Sequence, residues 1–217
     1  MTIEIRKLRQ RATRGDSVAA LACAIFAEHA PEMTEDSGAA ERLYKQAATE
    51  LPVAQFLLAA KLLKRQDTAA EGFKLAEQAA KAGLAEAAVL LGHAYQLGLG
   101  TKADDEKAKI WYLIGAELGD PDGFFQLGSR HVDERGNFTS PHEAKAWFER
   151  AVEEGHVASK SFLSRILLEH TTPPDLARAM ALLKEGADQG ASNQNRAIAM
   201  GATAYHIRPN WPRNILH

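Results

Sequence analysis

A glycine that returns at nearly constant spacing constrains this chain more than any other feature. Gly83, Gly119, Gly155 and Gly190 stand 36, 36 and 35 residues apart. Each closes an alanine-rich stretch: LAEQAAKAG, WYLIGAELG, WFERAVEEG and LLKEGADQG. Earlier in the chain, Glu50 takes the same place 33 residues before Gly83, and Gly15 lies 35 residues before Glu50. A period of this length fits one helix–turn–helix unit, which cannot bury its apolar face alone and must stack on its neighbours. The expected fold is an all-α solenoid, which grows by stacking and offers surface for holding other molecules rather than a closed pocket.

Within each repeat the pattern reads helix, loop, helix. In Leu84–Gly119 the first helix places Ala87, Ala88, Leu91, Gly92 and Tyr95 on one face, and the second does the same with Ala108, Trp111, Tyr112, Ile114 and Gly115. Ala59, Leu127-Gly128 and Leu163-Ser164 fall at the Leu91-Gly92 place; Leu75-Ala76, Trp147-Phe148 and Leu182-Leu183 fall at the Trp111-Tyr112 place. Packing is therefore expected to rest on Trp111, Trp147, Leu91 and Leu127. Second helices are announced by N-cap residues at Thr68, Asp104, Ser140 and Asp175, with Asp36 fitting a first repeat that closes one residue late. Thr68…Glu71 and Ser140…Glu143 have capping-box spacing.

The organisation expected is a basic helix over 1–14, repeats over 16–50, 51–83, 84–119, 120–155 and 156–190, and then 191–217. That last part divides into the lone first helix of an incomplete repeat, 191–203, and an extended tail, YHIRPNWPRNILH, interrupted by two prolines. Tyr205, Ile207, Trp211, Ile215 and Leu216 are many large apolar groups for a solvated end. The tail is expected to dock through Tyr205 and Trp211, over the last repeat or in a groove, its own or a second copy's.

Composition narrows the function. A hydrophobic content of 46% lets every repeat bury a face, and the net charge of −2 argues against coating nucleic acid. The one cysteine, Cys23, forbids an internal disulfide and fits a reducing compartment. The N-terminal MTIEIRKLRQRATRG lacks a secretory apolar core, and no apolar run approaches the ~18 residues of a membrane span. A soluble, cytoplasmic protein with no membrane partner is expected.

The third repeat closely resembles the Sel-one-like repeat, a relative of the tetratricopeptide repeat. The resemblance rests on Ala88, Gly92, Tyr95, Gly98 and Gly100, followed by Asp104, Lys107, Ala108, Trp111, Tyr112, Ala116 and Gly119. The fourth repeat keeps Leu127-Gly128, Ala144, Trp147-Phe148 and Gly155, but replaces the loop glycines with Asp133-Glu-Arg-Gly-Asn137. The resemblance implies a right-handed superhelix of about five antiparallel helix pairs, with adaptor or scaffold roles, often in bacteria. It also implies that first helices line a concave surface. The aligned positions then nominate Phe56, Leu63, Val89, His93, Gln96, Phe125, Ser129, Val132 and Arg165 as a groove for a peptide or protein. The alternative for Phe56 and Phe125 is that they pack between helices.

Chemistry is sparse. Gly98-Leu-Gly100 lacks the lysine and serine or threonine of a phosphate loop and reads as a turn. None of the eight histidines stands in an H-E-x-x-H or a tight Cys/His cluster, so no metal or cofactor is expected. Asp120-Pro-Asp122-Gly123 lacks the later ligands of a calcium loop and reads as a helix start. Cys23 sits in an apolar helix and reads as an inert thiol. No catalytic residue is nominated, and the chain reads as a protein-binding adaptor, regulator or inhibitor-type module. Two rivals stand beside that reading. One is the β-lactam-binding or hydrolysing branch of the resembled family, whose paired cysteines are missing here. The other is binding of nucleic acid or an acidic surface by the N-terminal helix, where Arg6, Lys7, Arg9, Arg11 and Arg14 oppose Glu4.

Overall fold

The computed structural model describes residues 3–29 and 38–199, with residue 3 and residues 191–199 described in backbone course only. Among these residues the chain is all-helical apart from one isolated bridge, Val132 to Phe138. It divides into two compact units, residues 1–118 and 119–217. The first holds α1 (Ile3–Thr13), α2 (Ser17–His29), α3 (Ala39–Ala47), α4 (Pro52–Leu62), α5 (Ala69–Lys81), α6 (Ala85–Leu97) and α7 (Asp105–Glu117). The second holds α8 (Pro121–Ser129), α9 (Pro141–Glu153), α10 (Val157–Glu169) and α11 (Leu176–Ala199). Within each unit, consecutive helices pack on one another. The pairs α2/α3, α4/α5, α6/α7 and α8/α9 lie inside residues 16–50, 51–83, 84–119 and 120–155, while α10/α11 starts inside 156–190 and runs past it.

The recurring glycine ends a second helix and turns the chain into the next repeat. Gly83, Gly119 and Gly155 all have positive φ, 87°, 99° and 89°, as has Gly15 at 94°. A side chain would strain that left-handed backbone, which is why glycine returns there. Gly190 departs from this pattern. It lies inside α11, which continues through it to Ala199. The new helix expected from residue 191 is thus a continuation of the preceding one within the described residues. The tail, with Tyr205 and Trp211, lies outside them, as does Asp36.

Caps follow the sequence only in part. Asp104 accepts from the Lys107 N–H, Asp120 from Asp122 and Asp175 from Arg178. Thr68 and Ser140 make no side-chain cap. The Thr68 hydroxyl instead donates to the Leu62 carbonyl at 2.8 Å, tying the loop to the end of α4, so neither expected capping box forms as drawn.

The core corrects the aromatic register. Of each aromatic pair the second member is buried: Tyr112 and Phe148 have no exposed surface, while Trp111 and Trp147 are half-buried. Gly92 and Gly128 exist for these rings. A Cβ on Gly92 would stand 2.6 Å from the Tyr112 ring, and one on Gly128 would stand 2.8 Å from the Phe148 ring. In the fifth repeat no aromatic occupies the equivalent place. There Ser164 replaces glycine, and its hydroxyl lies 2.6 Å from the Lys160 carbonyl and 3.1 Å from that of Ala179. Leu91 and Leu127 are buried as expected.

Candidate protein-interaction face

In the N-terminal unit, first helices α2, α4 and α6 carry the nominated residues Phe56, Val89, His93 and Gln96, with Leu63 just past the end of α4. The fold uses most of them internally. Val89 is 5% exposed and packs where Gly115 has no side chain, and Leu63 is 4% exposed beside Gly72. Phe56 packs against the alanine-rich core of α4, α5 and α6. His93 meets the edge of the Tyr112 ring, with centroids 5.2 Å apart. Gln96 accepts the Tyr112 hydroxyl at 2.6 Å.

That last bond belongs to a matched set. In the first repeat Tyr44 donates to Glu28 at 2.8 Å, and Tyr44 and Glu28 are separated by the same 16 residues as Tyr112 and Gln96. Glu28 also pairs with Lys61, whose ammonium lies 5.3 Å from the Tyr44 ring centre. In the fourth repeat the ring is Phe148, without a hydroxyl, and the residue 16 before it is Val132. An acceptor stands where a buried phenol needs one, and an apolar group stands where it does not.

In the C-terminal unit the outcome is similar. Phe125 sits within an aromatic cluster, its ring centre 4.5 Å from His156, 5.6 Å from Phe162 and 5.9 Å from Phe148. The Ser129 hydroxyl donates to the Phe125 carbonyl, and Val132 packs on the core while pairing with Phe138. Arg165 donates to the Gly136 carbonyl at 2.6 Å, and its guanidinium lies 4.4 Å from the Phe138 ring centre. It clamps the loop between α8 and α9. Phe56 and Phe125 thus pack on the helix cores while each stays half-buried.

Exposed apolar groups on first helices lie both at and beside the nominated positions. Val18 on α2 is 61% exposed and Val53 on α4 is 46% exposed, with Ile25 and Leu97 also exposed. Val18 and Val53 occupy one register position, three residues before Leu21 and Phe56. The period that aligned the nominated rows would have aligned these two as well. Ile25 itself stands at the register of His93, Ser129 and Arg165. On α1, Arg6 and Lys7 are exposed, as is Arg14 just past its end, while Arg11 bridges Asp16 at 2.7 Å.

Among the described residues no group of three or more His, Cys, Asp or Glu side chains could hold a metal ion. His131 faces Glu143 at 3.3 Å, and His156 faces Asp122 at 3.1 Å. Cys23 is buried, and that burial pushes its thiol pKa up, away from the reactive thiolate. Gly98 and Gly100 have positive φ in the turn between α6 and α7. No helix among the described residues is long and apolar enough to cross a membrane.

The Sel1 repeat model matches residues 52–84, 85–120, 125–156 and 168–190, more than half of the chain. The chain belongs to the Sel1 repeat family. Its first helix pair, α2/α3, lies outside the matched residues, yet carries the same tyrosine-to-acceptor bond as the third repeat. The fold is also that of solved Sel1 repeat structures. A Sel1 repeat protein from Oxalobacter formigenes aligns with a TM-score of 0.73 at 21% identity, covering 85% of this chain and 78% of that one. The protective antigen c5321 of uropathogenic Escherichia coli, described as having an SLR fold, aligns at 0.65 and 18% identity, covering 86% of this chain and 41% of that one. The immunity protein Pa5087 of Pseudomonas aeruginosa aligns at 0.54 and 20% identity, covering 85% and 71%. The search of curated proteins found no match.

Proposed function

We propose that this Sel1 repeat chain is a non-catalytic interaction module that holds a partner's peptide or amphipathic helix on the first-helix face of its N-terminal unit. The observation that carries this reading is the exposure of Val18 and Val53 at one register position on α2 and α4, with Ile25 beside them. Apolar side chains left open at repeated positions favour a partner with apolar anchors at helical or alternate spacing. The groove as first drawn is the weaker candidate, because Leu63 and Val89 are buried and Gln96, Phe125 and Arg165 are committed to internal contacts. An adaptor or inhibitor role in a reducing, cytoplasmic setting accords with the lone buried thiol. The immunity protein among its structural neighbours is a likeness of fold and does not choose the partner.

Selection of a displayed peptide library on the intact chain tests the proposal. The expected winners carry two or more apolar anchors, and Val18→Asp or Val53→Asp abolishes their binding while far-UV circular dichroism stays unchanged. Peptides that bind both variants as well as the parent chain would overturn it. Hydrolysis of nitrocefin by the purified chain would favour the β-lactam branch, and a salt-sensitive gel shift lost on neutralising Arg6 and Lys7 would favour the basic helix.

A further inference from the structure

The last described helix carries a second apolar surface, unrelated to the face of the N-terminal unit. On α11, Leu176, Met180 and Leu183 are 60%, 69% and 47% exposed. Their spacing of four and three residues puts them on one side of the helix. Ala179 and Leu182 are buried on another side, packed in the core shared with α9 and α10. Glu185 and Gln189 are drawn toward α10 by the buried Lys160 ammonium, at 3.0 and 2.9 Å. Arg178 turns toward α9, where it pairs with Glu149 at 2.8 Å. The exposed stripe is therefore separate from these contacts of α11.

Comparison with the preceding repeats shows what this stripe lacks. Leu183 stands 35 residues after Phe148 in sequence, but Leu182 takes the buried place in α11 and leaves Leu183 outward. Phe148 is covered from the following helix by Phe162, their ring centres 5.0 Å apart. Met180 stands where the two preceding repeats have Lys145 and Lys109. A solvated helix face takes lysine at such a position, and methionine there favours apolar cover.

We infer that the stripe is the docking site of this chain's own segment 205–217, seated through Trp211. Three observations support that occupant over a second copy of α11. First, Tyr205, Ile207, Trp211, Ile215 and Leu216 supply the apolar groups, with Pro209 and Pro212 flanking the indole and restricting the chain before it docks. Second, the reach is sufficient. Leu183 and Met180 lie 16 and 19 residues before Ala199, roughly 24 and 29 Å along a helix. Trp211 lies 12 residues after Ala199 and can extend about 40 Å from it, enough to fold back onto both. Third, three side chains offer on the order of a few hundred Å², well below the ~800 Å² per partner of a stable dimer. A small patch binds usefully when its ligand is tethered, because the linker holds the ligand at a high effective concentration.

The test uses the full chain with Met180→Cys carrying a bimane label, in a Cys23→Ala background so that only one thiol reacts. Bimane emission is quenched by contact with an indole. Trp211→Phe is expected to raise the emission severalfold, and an excess of unlabelled full-length Trp211→Phe chain is expected to leave the labelled parent's emission unchanged. Helicity is followed by circular dichroism, and the exposed position of Met180 keeps the fold out of the comparison. Emission unaltered by Trp211→Phe overturns the inference. Emission that rises when unlabelled Trp211→Phe chain is added to the labelled parent also overturns it, because the quenching indole then comes from a second molecule.

Discussion

The tyrosine–acceptor pairing can be tested by transplanting one repeat's solution into another. Tyr112 is fully buried, and its hydroxyl donates to Gln96 at 2.6 Å. Tyr112→Phe removes the donor but keeps the ring over Gly92. An intramolecular hydrogen bond is worth about 0.5–1.5 kcal/mol net, and Gln96 is half-buried and can recruit water, so a loss of about 1 kcal/mol is expected. Gln96→Val leaves a buried phenol without this acceptor and should cost about 1–2 kcal/mol. The double variant Tyr112→Phe/Gln96→Val reproduces the Phe148/Val132 pair of the fourth repeat and should fall within about 0.5 kcal/mol of the parent. Urea denaturation followed by circular dichroism reads this directly. With a slope near 2 kcal/mol per molar, each single variant shifts the midpoint down by about 0.5 M or more, and the double variant restores it. Equal slopes across the four proteins are needed, because a stack of repeats can unfold in parts. A double variant whose loss equals the sum of the singles would refute the matched-pair account.

Other consequences follow from the same packing. Phe148→Ala should destabilise by about 3–5 kcal/mol, because the ring is fully enclosed by Phe125, Phe138 and Phe162, and Trp147→Ala should cost roughly half as much; the reverse order in denaturation midpoints would restore the register expected from sequence. The Asp104 carboxyl is held below the usual carboxylate range, chiefly by the Lys107 N–H it accepts. Its folded pKa is depressed, so its contribution is present at neutral pH and is lost as pH falls through that lowered value. Asp104→Asn keeps a cap but should flatten the acid limb of the stability–pH curve, and an unchanged limb would count against the cap. Cys23 should react with a thiol reagent only as fast as its helix opens. Labelling of the native chain at the unfolded-state rate would contradict its burial.

The sequence by itself determined the period, the helix pairs and the closing turns, because each is written locally. Gly83, Gly119 and Gly155 mark left-handed turns that other residues resist, and Asp104, Asp120 and Asp175 bond N–H groups two or three residues ahead. The family was legible for the same reason, since its motif lies in one unbroken stretch of the third repeat. Which side chain faces a neighbour was decided only by tertiary structure. One residue is 100° around a helix, so a register error of a single position exchanges the buried Phe148 for the half-buried Trp147. Gln96 and Arg165 look like groove residues in sequence, and only the positions of Tyr112 and Gly136 show them to be spent inside the fold. Gly190 makes the same point from the other side. It carries the period's signal, yet α11 runs straight through it, because a glycine permits a turn without requiring one.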